Sequence, residues 1–189
     1  AKADTFKPLY GGTKGSKAQE KYYAAFRERY KGVTEMQEDW CQEALETKRM
    51  VCVTGLITYW PRTRVSQTGF IEESTKINNY QVQMFATADV ATIGCTFLWH
   101  DMKMRQLKSL FVNEVHDNAL IESPPEEHDL MRELCKVNMA ERIVPFFKAV
   151  IGFDIDLPLD VDVKISSNWG WDRNTSKPLF EEVANVKQV

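Results

Sequence analysis

The chain has 189 residues, 43% hydrophobic and 27% charged, enough for one large domain or two small ones with a substantial core. The composition is ordinary for a soluble globular protein. A net charge of −3 argues against a general polyanion binder, no apolar run approaches the roughly 20 residues of a membrane helix, and no secretory signal is visible.

The charge is uneven. Residues 1–33 hold eight Lys/Arg against three Asp/Glu, a local +5, which leaves −8 on the remainder. A basic head on an acidic body suits an anionic partner at the head, and equally a solvated helical face. Cys41, Cys52, Cys95 and Cys135 show no CxxC or Cys/His spacing, which predicts reduced structural thiols, a cytoplasmic setting and no zinc. The first residue is Ala, which fits removal of an initiator Met or a cleavage product.

In chain order, KADTFKPLYGG (2–12) places Lys2, Phe6 and Tyr10 four residues apart, on one helical face, with Pro8 inside that helix. After GGTKG, the capping box SKAQ (Ser16, Gln19) predicts a helix to about Tyr30, broken at Lys31-Gly32. A second box, TEMQ (Thr34, Gln37), predicts a helix to about Thr47. MVCVTGLITYW (50–60) reads as two short strands turning at Gly55, followed by the polar loop PRTRVSQTG. A long helix is expected from Ile77 to about Met102, with Val82, Phe85, Ala86, Val90, Ile93 and Phe97 as its apolar face. KSLFVNEVHDNALIE (108–122) reads as a hairpin around His116-Asp117-Asn118, and SPPE, capped by Ser123, opens a helix reaching about Ile151. DVDVKIS (160–166) alternates as a strand, and the tail 170–189 reads as irregular. The class is α+β.

Three constellations bear on chemistry, each with a plainer explanation. The Lys2/Phe6/Tyr10 face can hold a phosphate and a planar group; on pattern alone, an amphipathic helix with two core aromatics is favoured. Asp117 at a hairpin tip can hold a divalent cation, although Asx-turn chemistry accounts for VHDN more simply, and Glu114 lies on the strand face of His116 rather than of Asp117. Asn79 and Gln83, four apart, can present amides to minor-groove acceptors, or the asparagines can cap a helix start.

Order and separation of the motifs add more. K-x3-F-x3-YG (Lys2, Phe6, Tyr10, Gly11) resembles the second half of motif B of the family A, DNA polymerase I-like, DNA polymerases, most closely their phage-type members. VHD (Val115, His116, Asp117) resembles motif C. N-x3-Q (Asn79, Gln83) with ATAD (86–89) resembles the helix that tracks the primer-template, and DVDVKISSNW (160–169) resembles the closing palm strand. The resemblance implies the C-terminal part of a right-hand polymerase, with partial fingers over 1–75 and an antiparallel palm sheet within 76–189.

It implies template-directed 5′–3′ DNA synthesis, a nucleotidyltransferase activity. Lys2 would bind the triphosphate and protonate pyrophosphate. Phe6 would pack on the sugar, a Phe there going with rejection of dideoxynucleotides. Tyr10 would check the nascent pair. Asn79, Gln83 and His116 would contact DNA, and Asp117 would hold catalytic Mg²⁺ in a two-metal site. The partners would be primer-template DNA and dNTPs, with no membrane, in the cytoplasm of a bacterial host if phage-encoded.

Two departures follow. No D-Y/F-S-x-I/L-E run, the motif A carrying the other metal-binding aspartate, occurs in the 189 residues, and the arginine expected four residues before Lys2 is missing. The expectation is therefore one piece of a split polymerase, or a proteolytic product, inactive without an N-terminal chain bearing exonuclease, thumb and motif A. The alternative is a non-catalytic primer-template-binding module. Asn118 stands where many relatives carry an acidic residue.

Overall fold

Ser16 opens helix α1 (Lys17–Arg29) in the computed structural model, which describes residues 7–166 and the short strands Trp171–Asp172 and Lys177–Pro178. The expected capping box is complete: Ser16 Oγ accepts from the Gln19 backbone at 3.4 Å and Gln19 Oε1 accepts from the Ser16 backbone at 2.9 Å. Such a cap stabilises a helix by about 1 kcal/mol.

The second expected box does not form. Helix α2 (Lys31–Thr47) begins directly after Tyr30, whose φ of −113° and ψ of 53° make the break. Lys31-Gly32 are therefore the first turn of α2 rather than a breaker. Thr34 lies inside the helix, and its hydroxyl donates back to the carbonyls of Tyr30 and Arg27, both at 3.4 Å. Gln37 is buried and bonds elsewhere.

Strands β1 (Arg49–Val51) and β2 (Ile57–Tyr59) pair antiparallel, with Gly55 at φ +88° in the turn, as expected. A single bridge, Val65 to Ile71, ties the polar loop that follows. Met50, Trp60, Cys41, Ala44 and Ile77 form the core here, with Trp40 and Ile71 packed on it. Each fully buried large side chain contributes roughly 1.5–3 kcal/mol.

The long helix is present and longer than expected. Helix α3 (Ser74–Gln83) passes through a π-helical stretch (Met84–Ala91) into α4 (Thr92–Met104). By length and composition alone this 31-residue segment could cross a membrane, which corrects the expectation that no run approaches that length. Mid-segment, however, Asp89 accepts from the Thr54 hydroxyl and the Cys52 thiol.

The expected apolar face is not the buried one: Val82 and Ala86 are exposed, and Ile77, Asn78, Gln81, Gly94, Cys95, Leu98 and Met102 are buried. Asn78 takes a core-facing position because its side chain accepts from the Cys41 thiol, a partner 37 residues away that hydrophobic patterning cannot register.

Strands β3 (Leu110–Val115) and β4 (Asn118–Glu122) form the predicted hairpin, with a register irregularity between Phe111 and Asn113. Ser123 does not cap the following helix; its hydroxyl faces Ser109 Oγ at 2.8 Å. Glu127 instead accepts from the backbone N–H groups of Lys108 and Ser109, both at 2.9 Å, and from the Ser109 hydroxyl at 2.6 Å. The helical run that follows is segmented: α5 (His128–Lys136), a π stretch (Val137–Glu141), α6 (Ile143–Phe146) and a second π stretch ending at Gly152, φ +77°. Leu98, Met102, Met131, Leu134 and Cys135 make the core of this part.

Residues 160–166 are not a strand, because no neighbouring strand among the described residues takes up their hydrogen bonds. The alternation survives without the ladder. Val161, Val163 and Ile165 are half-buried between exposed Asp160, Asp162 and Lys164, and both valines pack on the core. In the tail, β5 (Trp171–Asp172) pairs with β6 (Lys177–Pro178), against the expectation of irregular chain; the rest of 170–189 lies outside the described residues. The chain divides into two compact units, Ala1–Asp89 and Val90–Val189, with the boundary inside the π stretch.

Candidate nucleotide and primer-template site

In the first unit, residues 7–9 are helical and end in a Schellman motif. Gly12 N–H donates to the Lys7 carbonyl at 2.8 Å and Gly11 N–H to the Pro8 carbonyl at 3.0 Å. Gly11 holds φ +77°, which only glycine adopts at no steric cost. A Cβ on it would sit 2.8 Å from the Asn78 side-chain amide nitrogen, and one on Gly12 would sit 2.8 Å from the Lys7 carbonyl oxygen. Pro8 is fully buried, so the proline anchors the turn by packing.

Tyr10 is half-buried at the end of this turn, and Gln83 Nε2 donates to its hydroxyl at 3.5 Å. The structure thus brings Tyr10 and Gln83 together. Asn79 lies one turn earlier on α3, inside the helix rather than at its start, so the capping explanation for the asparagines fails: α3 begins at Ser74 after Glu73. Asn79 Oδ1 is buried with no hydrogen-bond partner among the described residues, and an orphan acceptor of this kind calls for an explanation. Lys2 and Phe6 lie outside the described residues.

Sequence reasoning missed the groups that hold the turn. Gln37, on α2, donates its amide N–H to the Leu9 carbonyl. Cys41, one helical turn on, donates its thiol to Asn78 Oδ1 at 3.5 Å. Burial and a nearby Glu38 push the Cys41 thiol up to about 11, so it stays protonated at neutral pH. Gln37 at a capping-box spacing and Asn78 beside Asn79 each offered a local explanation that hid this role.

In the second unit, His116, Asp117 and Asn118 are exposed at the tip of the β3–β4 hairpin. His116 takes φ +58°, and Asn118 Nδ2 donates to Asp117 Oδ1 at 2.9 Å. This bond runs between side chains, so it orients the carboxylate of Asp117 but is not the side-chain-to-backbone bond of an Asx turn. Glu114 accepts from Thr92 at 3.0 Å. No group of three or more His, Cys, Asp or Glu able to hold a metal occurs among the described residues. One exposed carboxylate does not fit a two-ion centre by itself.

The fold defines the class of protein. Over 85% of this chain and 28% of the other, it superposes with a TM-score of 0.68 and 21% identity on the POL domain of Pol1 from M. smegmatis, solved in complex with DNA primer-template and dNTP. It shares the mixed architecture of helices and small antiparallel sheets of a polymerase domain. The sequence profile of DNA polymerase family A matches residues 12–171, and the chain belongs to that family. The match begins just after Tyr10-Gly11, so Lys2, Phe6 and Tyr10 lie outside it. DNA polymerase I of Caldicellulosiruptor bescii is 31% identical over 84 residues, 44% of this chain and 9% of its own length. DNA polymerase I of Borreliella burgdorferi is 23% identical over 108 residues, 56% of this chain and 11% of its own length. The chain thus spans about a tenth of these relatives.

Proposed function

We propose that this chain takes part in template-directed 5′–3′ DNA synthesis as the C-terminal part of a phage-type family A polymerase in the cytoplasm of its host. The observation that carries the reading is the family match over 12–171 enclosing a two-stranded hairpin with an exposed aspartate at its tip. In this reading, residues 1–75 belong to the fingers and 76–189 to the palm of a right-hand polymerase. Lys2, Phe6 and Tyr10 meet the phosphate, sugar and base of the incoming nucleotide; Asn79, Gln83 and His116 contact the primer-template.

In the reaction, the primer 3′-hydroxyl gives up its proton to solvent, its oxygen bonds to the α-phosphorus, and pyrophosphate leaves with the electrons of the broken P–O bond. Lys2 stabilises the charge developing on pyrophosphate and gives it a proton. Asp117 would hold a divalent cation through its carboxylate, Mg²⁺ in this family, and the ion would supply charge stabilisation at the reacting oxygens. The ion's remaining ligands would come from a segment carrying motif A, which the 189 residues do not contain.

Primer extension tests this. The chain alone should make no product, and adding a polypeptide with motif A should restore Mg²⁺-dependent synthesis. Asp117→Asn in the restored assembly should cut the rate by several orders of magnitude while primer-template binding persists. Robust synthesis by the chain alone removes the need for that segment, and a near-normal rate for Asp117→Asn removes the metal role. DNA binding without any synthesis in the assembly would favour a non-catalytic primer-template module.

A further inference from the structure

The Leu9–Gly12 turn is held from outside by two buried polar side chains. The Schellman motif uses the carbonyls of Lys7 and Pro8. The Leu9 carbonyl, immediately before Tyr10, is taken by the Gln37 amide, a residue 7% exposed. Immediately after Tyr10, Gly11 abuts the Asn78 amide so closely that a Cβ would overlap it, and Asn78 is 3% exposed. Cys41 braces Asn78 from α2. Asn78 stands next to Asn79, on the helix that ends in Gln83 and so meets the Tyr10 hydroxyl.

A core position of this depth ordinarily takes an apolar side chain, and a buried amide is kept where its hydrogen bonds matter. Here Gln37 bonds the main chain just before Tyr10 and Asn78 packs against the main chain just after it.

We propose that Gln37 and Asn78 are positioning residues for Tyr10: Gln37 by its bond to the Leu9 carbonyl and Asn78 by packing against Gly11 set the height and orientation of the ring, and so couple the nucleotide-facing turn to the helix of Asn79 and Gln83. The proposal rests on the reading that Tyr10 faces the nascent base pair. Neither amide touches substrate. Their effect falls on selection of the incoming nucleotide, and primer-template affinity is left alone.

The test has two arms. The first places 3-fluorotyrosine at residue 10 of the full chain and follows its fluorine resonance. Gln37→Met keeps length but has no donor, and it should displace the resonance at every pH. Gln37→Glu has a donor only when its carboxyl is protonated, so over the acid range its resonance should move back toward the wild-type position as the pH falls, a movement absent from wild type and Gln37→Met over the same range. This acid-side recovery separates loss of the donor from general misfolding. The second arm measures single-nucleotide incorporation by the assembled polymerase. Gln37→Met should raise KM for the correct dNTP about tenfold, the size expected from one buried hydrogen bond, with Kd for primer-template within about twofold of wild type. A Tyr10 resonance indifferent to both substitutions overturns the proposal, as does a loss confined to DNA affinity. If the assembled wild type makes no DNA, the functional reading fails by itself, and the fluorine arm alone decides the positioning.

Discussion

Replacing Gly11 with alanine probes the turn most directly, because two separable penalties meet there. Backbone at φ +77° puts a Cβ against the neighbouring carbonyl, at about 1–2 kcal/mol. The same Cβ lies 2.8 Å from Asn78 Nδ2, below any tolerated contact, so a well-packed amide must move; overpacking of this kind adds about 1–3 kcal/mol. The sum is about 2–5 kcal/mol. Gly55 is an internal control: it has φ +88° but nothing within 4 Å of its Cβ position, so Gly55→Ala meets only the first penalty, about 1–2 kcal/mol. At about 4–8 °C per kcal/mol for a unit of this size, Gly11→Ala should lower the unfolding midpoint by about 8–40 °C and Gly55→Ala by about 4–16 °C. Calorimetric scans of the two variants side by side measure this. In the Gly11→Ala background, Asn78→Ala should recover part of the loss, a coupling of about 1–3 kcal/mol. Equal midpoints for the two glycine variants, or no coupling with Asn78, would refute the close approach and the positioning argument with it.

Two further outcomes follow from other parts of the chain. The carboxyl of Glu127 is held below its ordinary value of 4.5, first by the Ser109 hydroxyl and then by backbone donors of Lys108 and Ser109. A lowered folded-state value stabilises the fold above about 4.5, and that contribution is lost as pH falls through it. The gap in midpoint between wild type and Glu127→Gln should therefore be constant from pH 8 to about 5 and close below; a gap that widens in acid contradicts the arrangement. The four cysteines are free and buried, and burial pushes Cys41, Cys95 and Cys135 up to about 11, 12 and 11. A thiol reagent at neutral pH should label the native chain slowly and all four sites at once in denaturant; fast native labelling of Cys41 would contradict its place behind Asn78.

Features carried by neighbours in sequence were legible without a structure. The Ser16–Gln19 capping box, the Gly55 turn and the β3–β4 hairpin each depend on residues within a few positions of one another, so local chemistry settles them. The family was legible for the same reason, since the resemblance rests on short patterns read within the sequence, and the family match covers 12–171. What the sequence could not determine depended on contacts across many residues. Thr34 and Gln37 had the spacing of a cap, but α2 starts at Lys31, and Gln37 turns instead toward a carbonyl 28 residues away. The alternation of 160–166 was correct as a burial pattern and wrong as a strand, because a strand exists only where a neighbour accepts its hydrogen bonds. Asn78 looked like a polar residue at a helix start; only tertiary structure put it in the core, filling the space that the missing side chain of Gly11 leaves.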